Sequence, residues 1–164
     1  MESDNLAEFL DFETARVVQA ADEFAQSSKS PQTNSTVLFY FLLEKTSGLD
    51  FIFSRNLLDI NKVKAILKSK MKEYQEKEKA GFGYSQDYQD TISESLKIAK
   101  ERNHQRLVIG DVLSALATHD PVFQKILIDA NLKKEDIENL TWWLESLKKK
   151  IAERKRWWDY QNLM

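Results

Sequence analysis

The second half of the chain repeats the first at a distance of 74 residues, and that spacing limits the folds open to it. Asp11 and Ser85, two residues whose short side chains can cap a helix, are separated by it. The same offset relates Val18 to Ile92, Ala21 to Ser95, Ala25 to Ala99, Leu38 to Val112, Phe39 to Leu113 and Leu42 to Leu116. It slips to 73 for Phe53 with Ile126 and Leu57 with Ala130, as one loop indel would produce. It returns to 74 for Leu58 with Leu132, Val63 with Ile137 and Ile66 with Leu140. Shared composition does not hold core positions in phase over about four helices. Two units of this size each bury their apolar face poorly alone, so they are expected to pack together about a pseudo-twofold.

Within each unit the signals are helical. Asp11 can cap a helix on which Val18, Ala21, Phe24 and Ala25 recur up to Gln26. Ser27 to Asn34 is polar, contains Pro31 and reads as a loop. Ser35 or Thr36 then restarts a helix carrying Leu38, Phe39, Phe41, Leu42 and Leu43, and Gly48 interrupts it. Residues 49–57 read as a short helix. Asp59 or Asn61 caps the next, with Val63, Ile66, Leu67 and Met71 on one face. Residues 75–83, QEKEKAGFG, read as a linker. The expected fold is all-α: a duplicated four-helix unit of about eight helices, plus a helical C-terminal extension. The expected division is an N-terminal extension 1–10, repeat one 11–74, a linker 75–84, repeat two 85–148 and an extension 149–164.

Composition agrees and excludes several functions. Only 4 Gly and 2 Pro interrupt the 164 residues, which suits helices. No Cys is present, so disulfides and thiolate metal sites are excluded. A net charge of −2 provides no global field for nucleic acid. No apolar run approaches the roughly 18 residues of a membrane span. The acidic N-terminus lacks a signal-peptide pattern, and a cytoplasmic location is the expectation.

Residues 84–117, YSQDYQDTISESLKIAKERNHQRLVIGDVLSALA, place Tyr84, Ser85, Ile92, Ala99, His104, Leu113 and Leu116 in a repeat pattern. Leu10, Asp11, Val18, Ala21, Ala25, Leu38 and Leu42 follow it in the first half. Over roughly residues 10–148 the chain resembles the N-terminal, double Clp-repeat domain of Clp-type AAA+ unfoldases of the ClpC, ClpA and ClpB kind. The resemblance implies a protein–protein recognition module. It would recruit substrates or adaptor proteins to an ATP-driven unfoldase coupled to a peptidase or to disaggregation. It implies partners among protein substrates, adaptors and the ATPase domains of the same parent chain, and a monomeric isolated domain. A stand-alone helical scaffold or regulatory binding protein with a duplicated unit is the alternative.

The chain departs from the family at two places. In members that bind phosphoarginine, the acidic residue of a Thr-Glu-His motif faces the guanidinium. The matching positions here are Thr36 and Gly110, neither charged. The family's Gly-His pair is Lys29-Ser30 in repeat one and Asn103-His104 in repeat two. Asp111, one residue on, is the nearest acidic substitute, but an ordinary helix N-cap or first-turn carboxylate accounts for it better. The helix starts at Asp11, Thr36, Ser85 and Asp111 are the candidate rim of a partner-binding surface near the seam between repeats.

No catalytic constellation stands out. The chain has no G-x-x-x-x-G-K-[ST] phosphate loop, so no nucleotide, cofactor or hydrolytic activity is expected of these residues. Glu101-x-x-His104 has the spacing of half a carboxylate-bridged di-iron site, but Leu116 stands where His119 would need its glutamate. No metal is expected.

The C-terminal stretch is the most individual part. Leu140, Leu144, Leu147, Ile151 and Trp158 follow three- and four-residue steps, broken by Arg154. Two tryptophan pairs, Trp142-Trp143 and Trp157-Trp158, bracket Lys148, Lys149, Lys150, Arg154, Lys155 and Arg156. Such a helix can dock on the body, contact an ATPase domain or subunit through its Trp and Arg, or lie on an anionic membrane or nucleic acid. The acidic balance of the rest disfavours the last.

Overall fold

The computed structural model describes residues 7–28, 32–76 and 83–163. Among the described residues, eight α-helices follow a 3-10 turn at Ala7–Phe9: α1 Phe12–Ser27, α2 Ser35–Lys45, α3 Leu49–Ser54, α4 Ile60–Glu76, α5 Gln86–Glu101, α6 Ile109–His119, α7 Pro121–Asp129 and α8 Lys134–Leu163. The described residues contain no strand, only two isolated bridges. The fold is the expected all-α pseudo-twofold duplication. The first residues of α1, α2 and α4 lie 74 before those of α5, α6 and α8.

The offset holds where the sequence suggested a slip. Leu58 N donates to Phe53 O, and Leu132 N donates to Leu127 O, each 74 apart. Leu57 (φ 60) and Asn131 (φ 56) both take the left-handed conformation that ends the third helix of a repeat. No indel is needed. Ile52 and Phe53 are buried like Ile126 and Leu127, and two adjacent apolar residues let the alignment slide by one.

Caps set the helix starts. Asp11 accepts from Thr14 N at 2.8 Å, and Ser85 accepts from Tyr88 N at 3.3 Å. Asn34, rather than Ser35 or Thr36, caps α2 by accepting from Val37 N at 2.9 Å. That cap frees the two hydroxyls of Ser35 and Thr36 for the interior. Asp59 accepts from Asn61 N at 2.9 Å ahead of α4. The short third helix stops at Ser54, earlier than expected, and Leu57 is left 94% exposed.

The helices α2 and α6 are apolar on nearly all sides, as buried central helices are. They touch each other, and each packs on the first and fourth helices of its own repeat: α2 on α1 and α4, α6 on α5 and α8. The repeats also interlock. Asp11 N donates to Leu107 O (3.0 Å) and Leu107 N to Phe9 O (2.6 Å). The symmetry mates of these bonds are Ser85 N to Thr33 O (3.0 Å) and Thr33 N to Gly83 O (2.8 Å). Each unit therefore completes backbone hydrogen bonds of the other. Side chains join them too. The rings of Phe39 and Phe123 stack at 4.2 Å, and the α7 cap Asp120 accepts from Ser35 Oγ (2.6 Å) and Thr36 Oγ1 (2.8 Å).

The expected helical C-terminal extension continues the last helix of repeat two, and α8 runs unbroken to Leu163. Ile66, placed on the buried face of α4 by periodicity, is 44% exposed, while Val63, Leu67 and Met71 are buried.

Candidate functional site

Two clefts occupy equivalent positions about the pseudo-twofold. The first, about 180 Å³, lies between the start of α1, the turn after α5, the start of α6 and the middle of α8. The second, about 160 Å³, lies between the start of α5, the end of α1, the start of α2 and the end of α4. Their linings correspond at the 74-residue offset: Asp11 with Ser85, Glu13 with Asp87, Arg102 with Ser28, Glu145 with Met71 and Lys148 with Tyr74. Duplication built one shape twice, and among the described residues substitution made one copy strongly charged and left Asp87 as the charged residue of the other. Each volume is below the roughly 300 Å³ of small-molecule pockets and suits one or two side chains of a polypeptide.

The charged cleft is organised by His104, which follows Asn103 in a left-handed turn (φ 59). Its Nδ1 lies 2.9 Å from Asp111 Oδ2, and its Nε2 lies 2.6 Å from Glu145 Oε1 on α8. A neutral imidazole can donate through only one nitrogen, so satisfying both carboxylates requires the imidazolium. Burial works against that charge, but the hydrogen bonds and charges of Asp111 and Glu145 outweigh it and raise the His104 pKa. Burial also pushes the Asp111 carboxyl up, against hydrogen bonds from His104 and Val108 N and the charges of His104 and Arg102. Arg102 donates to Thr141 Oγ1 at 3.0 Å and lies 3.7 Å from Asp111 Oδ1, with its guanidinium over the Trp142 ring at 4.5 Å. Lys148 crosses from α8 to Glu13 of α1 at 3.0 Å.

Both shifts are upward, so the folded chain binds more protons than the unfolded chain. Stability should then fall as pH rises. The His104 contribution is complete below its unfolded pKa of 6.5 and is lost as pH passes through the higher folded value. We expect thermal melts to lose about 1–2 kcal/mol between mildly acidic and alkaline pH, the worth of a charge-assisted hydrogen bond. In H104Q, whose amide does not titrate, that step should vanish. A wild-type profile rising with pH through this window would contradict the arrangement.

Gly110 closes the space where the resembled family carries its acid. A Cβ there would meet Thr141 Cβ at 3.2 Å. Thr141 cannot give way easily, because its hydroxyl donates to Glu138 O (2.7 Å) and accepts from Arg102. Alanine ordinarily stabilises a helix by up to about 1 kcal/mol over glycine. Here we expect Gly110→Ala to destabilise by about 1 kcal/mol instead, because crowding at α6–α8 outweighs propensity. Chemical denaturation reads the sign directly.

The candidate rim residues separate into two kinds. Asp11 and Ser85 are helix caps lining the two clefts. Thr36 and Asp111 are 1% and 0% exposed, with their polar atoms bonded inside the protein, and they offer no surface to a partner. The reason is tertiary: Asp120 and His104 reach these helix starts from elsewhere in the chain. The position of Lys29-Ser30 lies outside the described residues. In the tail, Trp142 is 51% exposed, and Trp143 lies under Arg55 (4.1 Å) and beside Phe51 (5.6 Å). Trp157 and Trp158 are exposed.

Sequence reasoning missed Arg102 and Glu145 and placed Lys148 only in the basic tail; Arg102 lies just after α5 and the other two on α8, so they form no local motif. Placing cleft residues in register at 74 would have paired them with Ser28, Met71 and Tyr74. Among the described residues, no group of His, Asp and Glu could hold a metal ion. No helix among them is long and apolar enough to cross a membrane.

By sequence, no family model and no curated protein matches the chain. Solved structures do match. The N-terminal domain of the ClpV1 ATPase from E. coli superposes with a TM-score of 0.70 at 15% identity, covering 88% of this chain and 90% of that one. The Hsp104 N-terminal domain from Candida albicans gives 0.69 at 13% identity, covering 80% and 88%. The N-terminal domain of the chaperone ClpD from Arabidopsis thaliana gives 0.62 at 15%, covering 86% and 96%. The fold is that of the Clp ATPase N-terminal domain. Both repeats are needed to cover those domains so fully. At such identities the likeness is one of architecture, and the cleft residues speak for this chain alone.

Proposed function

We propose that this chain recruits a substrate or adaptor protein to a Clp-type ATP-driven unfoldase, and that a segment of the partner engages the charged cleft. The observation that carries the proposal is the asymmetry of the two equivalent clefts. Duplication accounts for the shared shape of the two, but not for Arg102, Glu145 and Lys148 in one where the other carries Ser28, Met71 and Tyr74. The cleft has room for one or two side chains, which is the scale at which an extended or unfolded polypeptide is read. Carboxylates and a lysine at its edge would select charged side chains and speed encounter more than they add affinity. The Clp fold supports the context, because the ClpV1 structure is the N-terminal domain of an ATPase and the ClpD structure that of a chaperone. We assign the recruiting unit to the two repeats, residues 11–148, and treat 149–164 as a separate extension.

The test uses the 15N-labelled chain titrated with reduced, carboxymethylated α-lactalbumin as a permanently unfolded probe. Amide shifts gathered at Glu13, His104, Gly110 and Lys148 are expected. Lys148→Glu is expected to weaken binding several-fold, up to about tenfold, without changing the melting temperature, since the Lys148–Glu13 pair is exposed. Absence of shifts, or shifts confined to the second cleft, would remove this reading.

A further inference from the structure

The final helix carries a second surface that the cleft does not use. At 30 residues and about 1.5 Å per residue, α8 spans some 45 Å. Leu140 and Leu144 are buried against the body, and the same face continues through Leu147, Ile151 and Trp158. Every residue from Lys149 to Asn162 is exposed, with Ile151 at 58% and Trp158 at 63%. The stripe thus keeps the spacing of helix–helix packing past the point where a helix packs on it.

We infer that this projecting half of α8 is a docking surface for an amphipathic helix with acidic flanks, supplied by a partner protein. Charge selects that occupant. Residues 149–163 hold five Lys or Arg against Glu153 and Asp159, a net +3 on a chain of net −2, so the remainder carries −5. At about 100° per residue, Lys150 and Arg154 fall along one edge of the stripe and Lys155 along the other. A helix laid on Ile151 and Trp158 therefore meets cations on both sides, and carboxylates on its own flanks neutralise them. An exposed Trp beside Arg on an apolar stripe is the composition of interface centres.

Two other occupants fit less well. A helix lying in a lipid surface gathers its aromatics on one face. Trp157 and Tyr160 instead project roughly a third and a half of a turn from the stripe. A second copy of the extension would bring like charges together.

The inference rests on α8 alone and stands or falls separately from the cleft. The full chain is titrated with a synthetic helical peptide of about 18 residues, long enough to form a helix, with Leu at three- and four-residue steps and Glu on both flanks. The same peptide with Lys for Glu, and vesicles containing phosphatidylglycerol, are the comparisons, read by tryptophan fluorescence and calorimetry. The acidic peptide should bind at least about tenfold more tightly than its Lys counterpart. Ile151→Ser and Trp158→Ser should each weaken it by about tenfold while leaving thermal unfolding unchanged, because both side chains are exposed. Equal binding of the two peptides, indifference to the substitutions, preference for vesicles, or no binding at about millimolar peptide would each overturn the proposal.

Discussion

Replacing Phe123 with alanine should destabilise the protein by about 4 kcal/mol, the usual cost of removing a fully buried aromatic ring. Phe123 and Phe39 are both 0% exposed, and their rings stack at 4.2 Å between α7 of one repeat and α2 of the other. The loss combines apolar transfer with a cavity that cannot collapse, because Leu38, Leu42 and Leu113 around α2 and α6 are themselves fully buried. For a domain of this size the melting temperature should drop by about 10 °C. Phe12, 80% exposed, is the matched control, and Phe12→Ala should change stability by less than about 0.5 kcal/mol. Equal effects of the two substitutions would mean that the repeats do not share this core.

Asp120→Ala should cost about 3 kcal/mol, because it strands several buried donors at once. The carboxylate is 0% exposed and accepts from Ser35 Oγ, Thr36 Oγ1 and, through Oδ2, Phe123 N at 2.8 Å. It is a helix cap and an inter-repeat tie in one side chain. Burial holds its pKa above the ordinary carboxylate value, so its worth lies in the hydrogen bonds it accepts and not in ionisation itself. Asp120→Asn retains one acceptor oxygen, and should recover about half of the loss. Urea denaturation of both variants measures the two steps. If alanine and asparagine were equally mild, the Ser35 and Thr36 hydroxyls must have other partners.

These two residues show where sequence reading stops. The helical periodicity, the caps at Asp11 and Ser85 and the 74-residue repeat are local or periodic properties, written in consecutive residues. Asp120 reads locally as an ordinary N-cap before Pro121. That Ser35 and Thr36, 85 and 84 residues away, reach it is a product of packing. Asp111 is similar. Its place near a helix start was legible, but its burial depends on His104 from the preceding turn, and Glu145 on α8 completes that cluster.

By itself, the sequence determined that the chain is all-α, built of two equivalent units, and closed by a basic, tryptophan-rich helix. Those follow from the period of the apolar residues, the scarcity of Gly and Pro and the repetition of both at one offset. Only the tertiary structure decided that the units interlock through the pairings of Leu10 with Leu107 and Thr33 with Tyr84. It also decided that two of the four candidate rim residues are interior, and that the cleft charges gather on one side of the pseudo-twofold. The physical reason is common to all three. A helix's period states which face is buried but not what buries it, and charge, burial and pKa belong to the partner a residue meets.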